Sequence, residues 1–150
     1  MLSLLTACGG SADDATTMDA DSAGLRAEPQ PPVLSAEAIN GTWSGVSMGE
    51  VGDSVTFRWT YTRNADGTAG FVYAGSSDTV RYATVVSGDS IVSTSEPYTP
   101  PKAPDGSPQV VVRTVGRLVG DKLVGTSAVR LATSPDSVVA RGRWEATRAP

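Results

Sequence analysis

VVVRTVGRLVGDKLVGTSAVRL, residues 110–131, decides the fold. Two runs rich in β-branched side chains flank Gly120-Asp121, and a two-residue turn there makes the stretch one β-hairpin. In that register Leu118 lies opposite Leu123, Gly116 opposite Gly125, Thr114 opposite Ser127, Val112 opposite Val129 and Val110 opposite Leu131. This set forms one apolar face. The other face pairs Val119 with Lys122, Arg117 with Val124, Val115 with Thr126, Arg113 with Ala128 and Val111 with Arg130, a mixture suited to partial solvation. The hairpin therefore has an inside and an outside.

Other stretches carry the same grammar. In Val55 to Arg63, Val55, Phe57, Trp59 and Tyr61 alternate strictly with Thr56, Arg58, Thr60 and Thr62, so one face of this strand packs on a core. Asn64-Ala65-Asp66-Gly67 reads as a turn. The return strand, Thr68 to Ala74, is expected to place Phe71 beside Trp59 and Tyr73 beside Phe57. Thr79 to Ser87 and Ser90 to Ser95 form a hairpin about Gly88-Asp89, with Val86 facing Ile91. Thr42 to Met48 is a first strand, interrupted by Gly45. Glu96 to Pro108 contains Pro97, Pro100, Pro101, Pro104 and Pro108 and is expected to be an exposed loop, with Tyr98 its sole aromatic residue. Ser134-Pro135-Asp136 turns the chain into a last strand, Ser137 to Thr147.

Asp53, Asp78, Asp89, Asp121 and Asp136 each sit in a turn, two residues before an apolar strand opener. Asp bonds backbone N–H groups in turns and tolerates left-handed geometry, so the recurrence is turn chemistry. No segment has the dense alternating oxygen ligands of a calcium loop. The expected fold is all-β: about eight antiparallel strands in an up-and-down meander, forming a closed or nearly closed small barrel behind a disordered N-terminal tether. Closure removes exposed edges. Gly116, Gly125 and Gly142 on the inner face let strands bend or let a Trp ring lie across a neighbour's backbone, with Trp144 over Gly125 as one such packing.

The chain has 150 residues, enough for one domain with tails, and a formal net charge of -4. That charge is unevenly spread. Residues 1–38 hold Asp13, Asp14, Asp19, Asp21, Glu28 and Glu37 against Arg26, a balance of -5, which leaves +1 for the rest. A near-neutral folded part has no basic footprint for nucleic acid. Residues 9–34 lack apolar periodicity and end in Pro29-Gln30-Pro31-Pro32, as a solvated tether does. Ser35 to Ile39 is expected to make one helical turn with Ser35 as its cap, ended by Asn40-Gly41.

Leu5-Thr6-Ala7-Cys8, followed by Gly9-Gly10-Ser11, resembles the lipobox of bacterial lipoproteins. The resemblance implies that residues 1–8 end a signal segment and that Cys8, the chain's single cysteine, becomes a lipidated N-terminus. Acyl chains would then hold the protein in the cell envelope, each buried methylene contributing about 0.8 kcal/mol. Gly9 after the cysteine is compatible, in that family, with outer-membrane sorting. Only seven residues precede the cysteine, fewer than a basic region and an apolar run require, so translation is expected to start upstream of Met1.

Gly41-Thr42-Trp43, preceded by a helical turn and opening a meander that ends in an Arg-rich strand, resembles the calycin pattern of lipocalins, fatty-acid-binding proteins and avidins. The resemblance implies a lipocalin-like barrel over residues 35–150, closed at one end by Trp43 packed against an arginine, Arg143 or Arg148.

Catalytic chemistry has little support. Gly45-Val46-Ser47-Met48-Gly49 matches the nucleophile-elbow pattern of hydrolases, but the chain contains no His and the segment does not lead into a helix. Lack of His also removes the commonest general base and transition-metal ligand. No metal or cofactor is expected, and an enzyme is the remotest of three readings. The first is a monomeric, lipid-anchored structural or interaction module whose partner is another envelope protein. The second is a carrier of a small apolar ligand, lined by Phe57, Trp59, Tyr61, Phe71, Tyr73 and Trp144. Size favours the first, because an eight-stranded barrel can be filled by its own side chains. An internal void of several hundred cubic ångströms separates the two.

Overall fold

The computed structural model describes residues 33–150. Cys8 and the rest of the lipobox lie outside the described residues, as does the tether up to residue 32. The described chain is all-β. A 3₁₀ turn, Glu37–Ile39, precedes β1 (Gly41–Gly49), β2 (Val55–Arg63), β3 (Thr68–Tyr73), β4 (Thr79–Ser87), β5 (Ser90–Ser95), β6 (Val110–Val119), β7 (Lys122–Leu131) and β8 (Ser134–Arg148). Each strand pairs antiparallel with the next, and β1 pairs with β8, closing an up-and-down barrel.

β6 and β7 pair in the register that the two-residue turn dictates, from Val119↔Lys122 to Val110↔Leu131. The left-handed backbone in that turn belongs to Gly120, at φ 62°, and in the β4–β5 turn to Gly88, at φ 63°. The neighbouring Asp121 and Asp89 keep negative φ, so the glycines carry the unusual conformation, and Asp89 accepts from the Ser90 hydroxyl at 2.9 Å. Val86 faces Ile91 as the alternation requires.

Three details differ from the sequence reading. β3 is offset by two residues along β2, with Tyr61 opposite Phe71 and Trp59 opposite Tyr73. The turn sets this offset: Asp66 accepts hydrogen bonds from the Thr68 N–H at 2.9 Å and the Thr68 hydroxyl at 2.7 Å, while Gly67 N–H donates to the Asn64 carbonyl at 3.0 Å. The two-residue period keeps the same rings inside, and diagonal neighbours still meet, Trp59 with Phe71 at 5.0 Å and Phe57 with Tyr73 at 5.3 Å between centroids. β1 runs through Gly45 without interruption. The last turn is Ala132-Thr133, and Ser134-Pro135-Asp136 already belongs to β8. There Leu131 pairs with Ser134 and Arg130 with Val138, so residues 135–137 form a bulge, the position a proline without an N–H can occupy.

Candidate functional site

The barrel has two unlike ends. Three turns, 64–67, 88–89 and 120–121, lie at the end where β1 begins and β8 stops. This end is shut. Ile39 and Trp43 are essentially without solvent exposure, at 0% and 1%. Trp43 Nε1 donates to the Ile39 carbonyl at 3.0 Å, which ties the 3₁₀ turn across the barrel floor. Arg148 stacks its guanidinium 4.5 Å above the Trp43 ring and donates to the carbonyls of Asn40 at 2.9 Å and Ala38 at 2.7 Å. Of the two candidate arginines, Arg148 packs on Trp43, whereas Arg143 pairs with Asp53 at 3.0 Å on the exposed surface. Arg63, buried at the same floor, donates to the Ala36 carbonyl at 3.2 Å and to the side-chain oxygen of Asn40. Leu34 N–H reaches the Gly88 carbonyl at 2.9 Å, and Ser35 Oγ accepts from Ala38 N–H at 3.2 Å.

Above this floor the barrel holds a cavity of about 320 Å³ that opens toward the other end. One wall is aromatic. Phe57, Trp59, Tyr61, Phe71, Tyr73 and Trp144 all line the cavity, and Tyr82 and Tyr98 join them. The opposite wall is built from small or aliphatic residues, among them Ser93, Val112, Thr114, Ser127, Val129, Ala140 and Gly142. Trp144, lying over β6 and β7, is the one large ring on that second wall and meets Trp59; the small residues around it leave the rest of the middle open.

The glycines explain where the rings go. Gly45 carries the Trp59 indole, and Trp144 lies across both Gly116 and Gly125, so that any Cβ at these positions would collide with a ring. Trp59 and Trp144 then meet edge to face at 6.1 Å. Trp59 Nε1 donates to Ser47 Oγ at 2.9 Å. Ser47, the centre of the nucleophile-elbow match, is therefore an inward-facing hydrogen-bond partner on an extended strand. No group of His, Cys, Asp or Glu able to hold a metal occurs among the described residues.

Tyr98 is the cavity residue that sequence reasoning misplaced. Its loop is irregular, but Tyr98 exchanges backbone hydrogen bonds with Val110, at 3.0 and 2.8 Å, which turns the ring inward over the open end. Its hydroxyl meets that of Tyr73 at 2.7 Å. Nothing in the proline-rich sequence signals this bridge. Tyr82 was legible in principle, since it shares a period-two face with Val80 and both are buried.

Further hydroxyls cross the interior: Tyr61 bonds Thr84 at 3.0 Å, and Thr84 bonds Ser93 at 2.9 Å. Burial, as the largest cause, pushes the pKa of Tyr61, Tyr73, Tyr82 and Tyr98 above the ordinary tyrosine value, and for Tyr82 and Tyr98 the neighbouring tyrosines push the same way. All four are neutral hydrogen-bonding groups at physiological pH. Comparison with family models, with curated proteins and with solved structures finds no match for this chain.

Proposed function

We propose that this chain is a lipid-anchored cell-envelope protein whose barrel carries a small, mainly apolar molecule. The interior void of about 320 Å³ is the observation that supports carriage over a purely structural or interaction role. Unfilled apolar volume is costly, because the side chains around it forgo the packing and burial that a filled core provides. A barrel serving only as a module gains from filling that space. One that must take up a ligand cannot. The size lies at the lower end of small-molecule sites, and the lining, apolar with a few inward hydroxyls, has the composition such sites need.

The neutral fluorophore N-phenyl-1-naphthylamine provides the test. It is expected to bind one per chain with enhanced emission, and Ser127→Leu, which adds bulk inside the cavity, is expected to weaken binding at least about tenfold while thermal unfolding stays cooperative. A folded protein that leaves the dye's emission unchanged would overturn the carrier role.

The anchor rests on the resemblance of Leu5-Thr6-Ala7-Cys8 to the lipobox and on the polar, acidic segment that follows it. Produced in bacteria behind a complete signal segment, the protein is expected to enter the detergent phase on Triton X-114 partitioning. Cys8→Ser is expected to move it to the aqueous phase, and unchanged partitioning of that variant would defeat the proposal.

A further inference from the structure

The carrier reading leaves the chemical class of the cargo open, and the charge and hydroxyl arrangement inside the barrel narrows it. We infer that the cavity selects an electrically neutral, ring-bearing molecule with a hydroxyl or carbonyl group, and rejects carboxylates of the same shape. This rests on the carrier reading and goes beyond it.

The first observation is where the cations point. Among the described residues, only Arg141 of those lining the cavity is charged. It is exposed and shares the outward phase of β8 with Arg143 and Glu145, while Gly142, Trp144 and Ala146 alternate inward. Arg63 faces inward on β2 but is spent on the floor, bonded to Ala36 and Asn40, and does not line the cavity. A carboxylate taken into this space would lose hydration with no inward-pointing cation among the described residues to replace it, whereas a neutral group of the same shape pays far less.

The second observation is a surplus of O–H donors. A chain of hydroxyls contains one more proton than it has internal bonds. Tyr61–Thr84–Ser93 and Tyr73–Tyr98 are two such chains, and Ser47, which accepts from Trp59, retains its own O–H. The tyrosines stay neutral, so each chain keeps an O–H to donate beyond its own members, and a ligand oxygen is one acceptor the cavity can bring to it. The third is shape: Trp59, Phe71 and Trp144 already pack edge-on or tilted at 5.0–6.1 Å, the geometry in which a further ring adds favourably to the wall. The cavity volume equals that of roughly ten water molecules at liquid density, a space on the scale of a fused two-ring compound.

The test compares 2-naphthol with 2-naphthoate by calorimetric titration of the full chain at pH 7, with N-phenyl-1-naphthylamine displacement reporting the site. Naphthol is expected to bind at least about tenfold more tightly and to displace the dye. Naphthoate binding is expected to strengthen as pH falls from 7 to 5, by up to about tenfold per unit, as its neutral acid becomes more abundant. Equal or tighter binding of naphthoate at pH 7, or dye binding with no displacement by naphthol, overturns neutral selectivity and leaves the carrier reading standing. Failure of the dye itself to bind overturns both.

Discussion

The atoms that a methyl group at Gly45 would strike first all belong to the six-membered ring of Trp59, whereas one at Gly125 would strike the Val115 carbonyl first and Trp144 next. The two glycines therefore exclude side chains for different reasons, and a double-mutant cycle separates them. Gly45→Ala is expected to cost about 1–3 kcal/mol by overpacking, and most of that cost is expected to vanish in a Trp59→Leu background, as measured by urea unfolding. Gly125→Ala in a Trp144→Leu background is expected to retain its cost, because a backbone oxygen cannot be moved aside by truncating the ring. An additive result for Gly45 and Trp59 would show that the indole does not rest on that glycine. At the same scale, the residue that holds the floor is identified by reach: Arg148 covers Trp43 and bonds two carbonyls of the segment before β1. Arg143, five residues earlier, is an exposed ion-pair partner, a kind of contact that contributes about 0–1 kcal/mol.

Among the elements, the β6–β7 hairpin carries its register locally. A two-residue turn and two alternating strands leave one pairing that keeps the three apolar pairs, Val110–Leu131, Val112–Val129 and Leu118–Leu123, on the same side, and a slip of one residue would expose them. Its weak point is backbone conformation at Gly120, which has positive φ and open space around it. Gly120→Val is expected to cost about 1–2 kcal/mol through left-handed strain alone, with Gly120→Asn closer to wild type, read as a drop in the denaturation midpoint at constant slope. Equal stability of the Val variant would mean that the turn has another conformation. The β2–β3 pair shows the contrasting case. Alternation decides which rings are internal, but the offset along the strands depends on how many residues the turn consumes, and there the hydrogen bonds of Asp66 to Thr68 decide. The β5–β6 loop is the extreme. Its prolines exclude a regular strand, yet the single bridge from Tyr98 to Val110 converts a surface loop into part of the cavity's lining.

At the scale of the whole molecule, closure places all four tyrosines of the chain in one interior, and this has a consequence in pH. Each has its folded pKa raised above 10.0, chiefly by burial. A raised pKa favours the neutral form in the folded state, so the associated stability is fully present below about pH 10 and is lost as pH climbs from there through the folded values. Absorbance at 295 nm is expected to stay flat near pH 10 in the folded protein and to rise only with alkaline unfolding; any tyrosine titrating near 10 before unfolding would contradict that burial. Closure also gathers charge on the outside: Arg113 of β6 and Arg141 of β8 both pair in register with Ala128 of β7, on one outer surface that a near-neutral total charge conceals. The sequence by itself determined the all-β class, the eight strands, the inward identity of most rings and the β6–β7 register. These follow from alternation and turn chemistry, which act over a few residues through backbone geometry. Only the tertiary structure decided the pairing of β1 with β8, the choice of Arg148 over Arg143, the inward turn of Tyr98 and the survival of an open interior. Each of these depends on distances and volumes summed between strands far apart in the chain, and a void is what remains when the side chains of all eight strands together do not fill the space they enclose.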